Sequence, residues 1–364
     1  MRILILTNHD LGLYKFRKEL LKELVKDNEV FVSLPTGKFT DNIKEIGCKY
    51  IETSFNRKGT SVFDDFKLFI KYLNILNTVK PDVVLTYTIK PNVYGGLACG
   101  LKRIPYIANV TGLGSAIENK GLLQIISLML YKIGLRKASK IFFQNEANRL
   151  FMQSNGIGIN NSEMLPGSGV NLKEFKYYDY PNKDTIEFTY VGRIMKEKGF
   201  NQYIDAAKYF TDYYSNVIFH ICGPYEDDYK DIVNELVSKK ICKYEGYVED
   251  MRKIYKEINC TIHPTYYPEG LSNVLLETCA CGRPIITTNR PGCKEIVEDG
   301  INGFVVKEKD SLDLINKIEK FISLSNKEQK DLGIKAREKV EKEFDRNIVI
   351  NKYLEAIKGA TNGK

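Results

Sequence analysis

The chain of 364 residues has no tryptophan, only three histidines and no unbroken apolar run of about 20 residues. The last absence excludes a membrane-spanning helix, which needs a run of that length. Met1 to Thr7 is a strand-length apolar run followed by polar residues, so it reads as a strand and not as a secretory leader. Eight cysteines are scattered at 48, 99, 222, 242, 260, 279, 281 and 293, with no Cys-x-x-Cys and no histidine at zinc spacing. Several lie in apolar, strand-like runs, where a free thiol behaves as a small hydrophobe. That usage points to a reducing cytoplasm.

Common nucleotide-binding signatures are missing too. The turn after the first apolar run reads Thr7-Asn8-His9-Asp10-Leu11-Gly12, without the Gly-x-Gly-x-x-Gly fingerprint. Gly112-Leu113-Gly114 comes after a later strand and lacks the third glycine, so a nicotinamide-dependent enzyme is disfavoured. There is no Walker-type Gly-Lys-Ser/Thr motif. No Asp-x-Asp falls at a strand end, which argues against a Mg²⁺ or Mn²⁺ site. Neither a repeat at solenoid period nor a low-complexity tract is present.

Apolar content of 43% and charged content of 27% are ordinary for a globular protein, and the length suits two domains. The charge is lopsided. Residues 1–166 hold 23 Lys and Arg against 14 Asp and Glu, a surplus of nine, whereas residues 167–364 hold 31 against 32. A basic first half suits an anionic surface or substrate, and no nucleic-acid partner is expected.

Short Val/Ile/Phe runs alternate with helical patterns in both halves, which is the signature of parallel sheet with crossover helices. Strands are expected at 2–7, 29–33, 49–52, 82–86, 105–109, 140–143 and 163–165, and then at 186–191, 217–221, 242–245, 260–263, 284–287 and 303–306. The division expected is an α/β domain over 1–167 and a second over 168–344, with a last helix near 346–359.

Two groups of residues carry chemistry. Glu269 and Glu277 stand eight apart in Pro268-Glu269-Gly270-Leu271-Ser272-Asn273-Val274-Leu275-Leu276-Glu277. Gly270 breaks the chain and Ser272 is a good N-cap, so a helix should begin there, with the carboxylates roughly 10 Å apart. About seventy residues upstream, Val191-Gly192-Arg193 and Lys198-Gly199 bring two cations within five residues. A diphosphate fits these parts: Arg193 and Lys198, both expected at the surface of a ligand cleft, supply positive charge, and the free amides at the helix start face the phosphates. One carboxylate is left for sugar hydroxyls and the other for ribose hydroxyls.

This constellation resembles the donor site of retaining glycosyltransferase family 4. The context agrees: Thr265-Tyr266-Tyr267-Pro268-Glu269-Gly270 before the motif, Ala280-Cys281-Gly282-Arg283-Pro284-Ile285-Ile286 after it, then Gly292, Glu295, Ile296, Val297, Asp299, Gly300, Asn302 and Gly303 in the family's order. The resemblance implies the GT-B fold: two Rossmann-like α/β domains facing each other across a cleft, with the final helix (about 345–364) crossing back to the first. It implies a UDP-sugar co-substrate without a cofactor or metal, and places Arg193, Lys198 and Glu269 in catalysis. Gly12, Gly192, Gly223, Tyr247, Val248, Gly270, Leu271, Ser272, Asn273 and Glu277 are then donor-binding residues. Same-face displacement through an oxocarbenium-like transition state follows from the family, as no first-domain carboxylate is an evident nucleophile.

On the acceptor side, His9 and Gly12 share the first loop, and either has a plain turn role as its alternative. The family often has a histidine in the loop that here reads Asn109-Val110-Thr111-Gly112; Thr111 and the Gly112 amide stand in its place. Phe55-Asn56-Arg57-Lys58 and Thr88-Ile89-Lys90-Pro91-Asn92 resemble enzymes that build surface glycans on undecaprenyl diphosphate, including the diacetylbacillosaminyl-lipid N-acetylgalactosaminyltransferase group. Arg57 and Lys90 are either ligands of that diphosphate or exposed loop charges, and Asn92 is grouped with them. The acceptor implied is a polyprenyl-diphosphate-linked glycan; a soluble acceptor is the alternative, and a non-catalytic nucleotide-sugar-binding protein the reading from another class. Residues 119–140 are apolar over most of a helix and end in Lys132, Arg136, Lys137 and Lys140. They form either an interfacial helix on the anionic inner face of the plasma membrane or a core helix.

Overall fold

The computed structural model describes residues 1–55, 61–118, 120–226 and 229–362. The chain forms two compact units, one of Met1–Gly169, Glu269–Leu271 and Arg346–Lys364, the other of Val170–Pro268 and Ser272–Asp345. The first contains strands β1 (Arg2–Leu6), β2 (Glu29–Leu34), β3 (Lys49–Glu52), β4 (Val83–Tyr87), β5 (Tyr106–Val110), β6 (Lys140–Phe143) and β7 (Ser162–Met164). The second contains β8 (Ile186–Val191), β9 (Val217–Cys222), β10 (Lys243–Gly246), β11 (Cys260–His263), β12 (Ile285–Thr288) and β13 (Gly303–Val306). Each strand begins and ends within one residue of its expected range.

The first sheet runs in the order β3-β2-β1-β4-β5-β6-β7 and every pair is parallel. Successive residues feed opposite layers, as the two-residue period of a strand requires. Leu4, Leu6, Val84 and Ala108 pack under the helices Val62–Val79 and Leu122–Leu135. Ile3, Ile5, Val83 and Ile107 pack under Asp10–Asp27 and the final helix, Arg346–Thr361. That final helix is therefore core to the first unit. Arg346 secures its start by donating to Glu19 at 2.6 Å and to the carbonyls of Ser168 and Gly169. Further along, the Tyr353 hydroxyl accepts from the Asn109 amide at 2.5 Å and its ring meets Phe142 edge-on.

The helix Leu122–Leu135 corrects the core reading of its segment. Only Tyr131, Gly134 and Leu135 are buried, while Leu122 is 73% and Ile125 63% exposed. Gly134 explains the narrow contact: its carbonyl accepts from the Tyr106 hydroxyl, and a Cβ there would strike the Val93 backbone.

The second sheet, ordered β10-β9-β8-β11-β12-β13, is also parallel throughout. Its core is rich in rings: Phe188, Tyr190, Phe200, Tyr203, Phe210 and Phe219 pack together. Arg283 is fully buried, and its guanidinium donates to the carbonyls of Tyr178, Asp179, Lys256, Cys281 and Gly282. It ties the start of this unit to the turns before β11 and β12. Arg283→Ala would leave several buried carbonyls without donors, each costing about 1–3 kcal/mol. The variant is expected to lose at least about 3 kcal/mol in urea unfolding of the full chain.

Candidate functional site

Sheet order reverses between β8 and β11 in the second unit, and ligands of open α/β sheets sit at such a switch point, beyond the carboxyl ends of the strands. The chain leaving β8 carries Gly192, Arg193 and Lys198, and the chain leaving β11 carries Pro264 to Tyr267. A Cβ on Gly223 would lie 1.8 Å from the Gly192 carbonyl oxygen, so the chain ends after β8 and β9 meet backbone to backbone. Gly192 and Gly223 both have positive φ, 151° and 147°. Among the donor-binding candidates, these two keep the sheet edge free of side chains.

Arg193 and Lys198 are brought together over one ring. The Arg193 guanidinium carbon is 5.2 Å and the Lys198 ammonium 5.0 Å from the centre of Tyr267. A hydrogen bond from the Tyr266 amide to the Glu197 carbonyl, 2.9 Å, joins the two loops and sets this placement. Arg193 also donates to Glu226 at 2.8 Å. Lys198 is half-buried: desolvation pushes its pKa down to about 8, with the nearby Arg193 charge adding to the fall. Glu226 works the other way, offsetting charge that two adjacent cations would otherwise leave exposed to each other.

The helix Asn273–Ala280 begins where expected, with Ser272 at the cap position, but the Ser272 side chain makes no cap bond. Its hydroxyl is 3.3 Å from His263 Nε2. Burial, followed by the Lys198 charge, drives the His263 pKa down to about 3, so the ring is a neutral partner at physiological pH. The Ser272 amide donates to the Gly292 carbonyl, and the Gly292 amide to Glu295, fixing the start of the helix from the chain after β12. Asn273 and Glu277 are half-buried on this helix. Tyr247 is exposed, whereas Val248 is half-buried against the cluster that holds Val191, Cys222 and Tyr255.

Glu269, Gly270 and Leu271 count with the first unit. There the Asn145 amide donates to the Glu269 and Gly270 carbonyls, and a Cβ on Gly270 would come 2.1 Å from the Thr111 carbonyl oxygen. The structure thus sets Gly270 against Thr111, and Leu271 is buried beside Gly167. Gly112 follows with φ 153°.

Other acceptor-side candidates have structural duties. His9 is the N-cap of the helix Asp10–Asp27, accepting from the Gly12 amide, and Gly12 lies inside the first turn with open space where a Cβ would stand. Lys90 is no exposed loop charge: it is buried and ion-paired with Asp65 at 2.7 Å, and Asp65 also accepts from Tyr94. Asn92 is fully buried, accepting from Thr86 and donating to the Asn109 carbonyl, so it braces β4 to β5. Arg57 lies outside the described residues.

Sequence reasoning missed Tyr267, Glu226 and His263. Tyr267 appeared only as context for Glu269, since no spacing rule marks a ring that two cations share. Among the described residues, no group of three or more His, Cys, Asp or Glu side chains is arranged to hold a metal ion.

Residues 2–145 match the family profile described as glycosyl transferase 4-like, and residues 178–339 that of glycosyl transferases group 1. The N,N'-diacetylbacillosaminyl-diphospho-undecaprenol alpha-1,3-N-acetylgalactosaminyltransferase of Campylobacter jejuni is 26% identical over 97% of each chain. An Escherichia coli UDP-Gal:alpha-D-GlcNAc-diphosphoundecaprenol alpha-1,3-galactosyltransferase is 24% identical over 79% of this chain and 81% of its own. Among solved structures, Anabaena Alr3699/HepE in complex with UDP superposes with a TM-score of 0.81 at 17% identity, over 98% of this chain and 99% of that one, and shares the GT-B fold. The chain belongs to the glycosyltransferases, with a glycosyl transferase 4-like first half and a group 1 second half.

Proposed function

We propose that the protein is a retaining, family 4 glycosyltransferase that moves a hexose or N-acetylhexosamine from a UDP-sugar to a polyprenyl-diphosphate-linked acceptor in surface-glycan assembly. The observation that carries the reading is the pair of cations, Arg193 and Lys198, held over Tyr267 at the switch point of the second sheet. As the bond from the sugar C1 to the diphosphate oxygen breaks, negative charge grows on the diphosphate, and these groups stabilise it. The acceptor oxygen bonds to C1 on the same face and its proton passes to the departing phosphate oxygen. Glu277 is assigned to the ribose, Glu269 to the sugar, and no metal or cofactor is assigned to the step. The two relatives named above, whose names specify undecaprenyl-diphosphate-linked acceptors, support the acceptor class.

Membrane association on the inner face of the plasma membrane belongs to the same proposal. No helix among the described residues is long and apolar enough to cross a membrane. The helices Val62–Val79 and Leu122–Leu135 cover the same face of the first sheet, and both display large apolar side chains to solvent. Phe63 is 66% and Phe66 59% exposed on the first, and Leu122, Leu123 and Ile125 are exposed on the first turns of the other. Lys132 and Arg136 flank that helix's far end, matching an anionic interface.

Arg193→Ala and Lys198→Ala are each expected to lower turnover by roughly 10²–10³-fold, and wild-type turnover is expected to persist in excess EDTA. Donor turnover assayed by UDP release checks both. A donor diphosphate favours the charged form of Lys198, whose pKa of about 8 in the free protein must therefore rise on binding. UDP affinity should fall as pH climbs above about 8, and binding near that pH should take up protons, an uptake absent from Lys198→Ala. Calorimetry in buffers of different ionisation enthalpy measures it. Lys132→Glu combined with Arg136→Glu is expected to weaken co-sedimentation with anionic vesicles by at least about tenfold, each basic residue contributing on the order of 1 kcal/mol. UDP binding should be unchanged in that variant.

A further inference from the structure

The first unit has its own switch point, between β1 and β4. Arg17, on the helix that follows β1, reaches across it: its guanidinium stands 4.5 Å from the ring centre of Tyr87, the last residue of β4. Arg17 is only 8% exposed, yet its Nε and Nη2 have no hydrogen-bond partner, and no carboxylate is paired with it among the described residues. The other buried arginines among the described residues have acceptors on most of their donors: Arg283 has five carbonyls on its two Nη atoms, with only its Nε unpartnered, and Arg346 has Glu19 and two carbonyls. A buried guanidinium with two of its nitrogens unpartnered is costly, and one that persists calls for a ligand.

The neighbouring residue adds a second anomaly at the same place. Thr88 holds φ at 70°, a conformation that β-branched residues rarely adopt, and its Oγ1 is also buried without a partner. The Asn92 backbone N–H donates to the Thr88 carbonyl and pins this strained turn. Strain and unsatisfied polar groups gather where a fold prepares a site.

We propose that Arg17, together with the Thr88 hydroxyl one residue beyond Tyr87, forms an oxyanion site of the first unit that takes a phosphate group of the acceptor substrate. The planar fork of Nε and Nη2 suits two oxygens of one phosphate, and the Tyr87 ring beneath it fixes the plane. This deepens the reading above and rests on it for the acceptor's identity, since a lipid-linked diphosphate presents such oxygens next to the sugar to be extended. Lys90, ion-paired with Asp65, is not needed for the role.

Arg17→Met keeps the bulk of the side chain and removes its charge and donors. If the arginine serves a ligand, this variant melts at or above the wild-type temperature, because an uncompensated buried charge has gone. If the arginine is structural, the variant melts lower. In protein saturated with UDP, so that the second unit's diphosphate site is filled, inorganic pyrophosphate should raise the melting temperature of the wild type and not of Arg17→Met. With a short-chain polyprenyl-diphosphate-linked sugar as acceptor, the KM for acceptor should rise at least about tenfold, the loss expected for hydrogen bonds to a charged group. Pyrophosphate that protects both proteins equally, or neither, overturns the site, as does a variant of lower melting temperature with unchanged acceptor KM. Arg17-dependent protection by pyrophosphate in a protein that does not use the lipid-linked acceptor would keep the site and overturn the proposed acceptor instead.

Discussion

A strand in a parallel sheet must be led back to its starting end by a crossover before the next can pair, so all strands of a unit finish at one edge. Both sheets here obey this throughout, and each reverses its order once, between β1 and β4 and between β8 and β11. Crossovers on either side of a reversal go to opposite faces, which leaves a gap at the strand ends that neither covers. The paired cations of the second unit and the orphan arginine of the first both lie at these gaps. The rest of the site follows from what each chain does on leaving its strand.

In the second unit the departing chains are tied to each other before they carry any chemistry. The Tyr266 amide bonds to the Glu197 carbonyl, and a Cβ on Gly199 would come 2.0 Å from the Pro264 carbonyl oxygen, so only glycine fits there. That close approach turns Lys198 inward over Tyr267 and takes its ammonium out of bulk water. Desolvation lowers its pKa, and a cation so placed gains more from an arriving diphosphate than one already hydrated at the surface. The same loss of water neutralises His263, which then holds the Ser272 hydroxyl away from the helix cap.

Within the first unit, polar side chains at the strand ends are mostly consumed in bracing. Asn92 joins β4 to β5, Asn109 reaches Tyr353 on the final helix, and Asp65 holds both Lys90 and Tyr94. Against that background an arginine with Nε and Nη2 both unpartnered is conspicuous, because most buried polar groups are paired. Gly134 lets the helix Leu122–Leu135 lie close on Val93, and only Tyr131, Gly134 and Leu135 of that helix are buried.

The strands were legible in the sequence because parallel strands buried on both faces read as continuous apolar runs, and their limits depend on little else. The Arg193, Lys198, Glu269 and Glu277 motif was legible because its residues lie within two short stretches of chain. Two things the sequence could not decide. Whether a charged residue is free or already paired depends on partners distant in the chain, as Lys90 depends on Asp65 and Arg193 on Glu226. Whether a polar residue sees water depends on how loops pack, which desolvated Lys198 and His263 and left Arg17 buried in an unremarkable Phe16-Arg17-Lys18 stretch. Spacing along a chain encodes periodicity and local geometry; desolvation and charge pairing are properties of the folded surroundings, and only the tertiary structure supplies them.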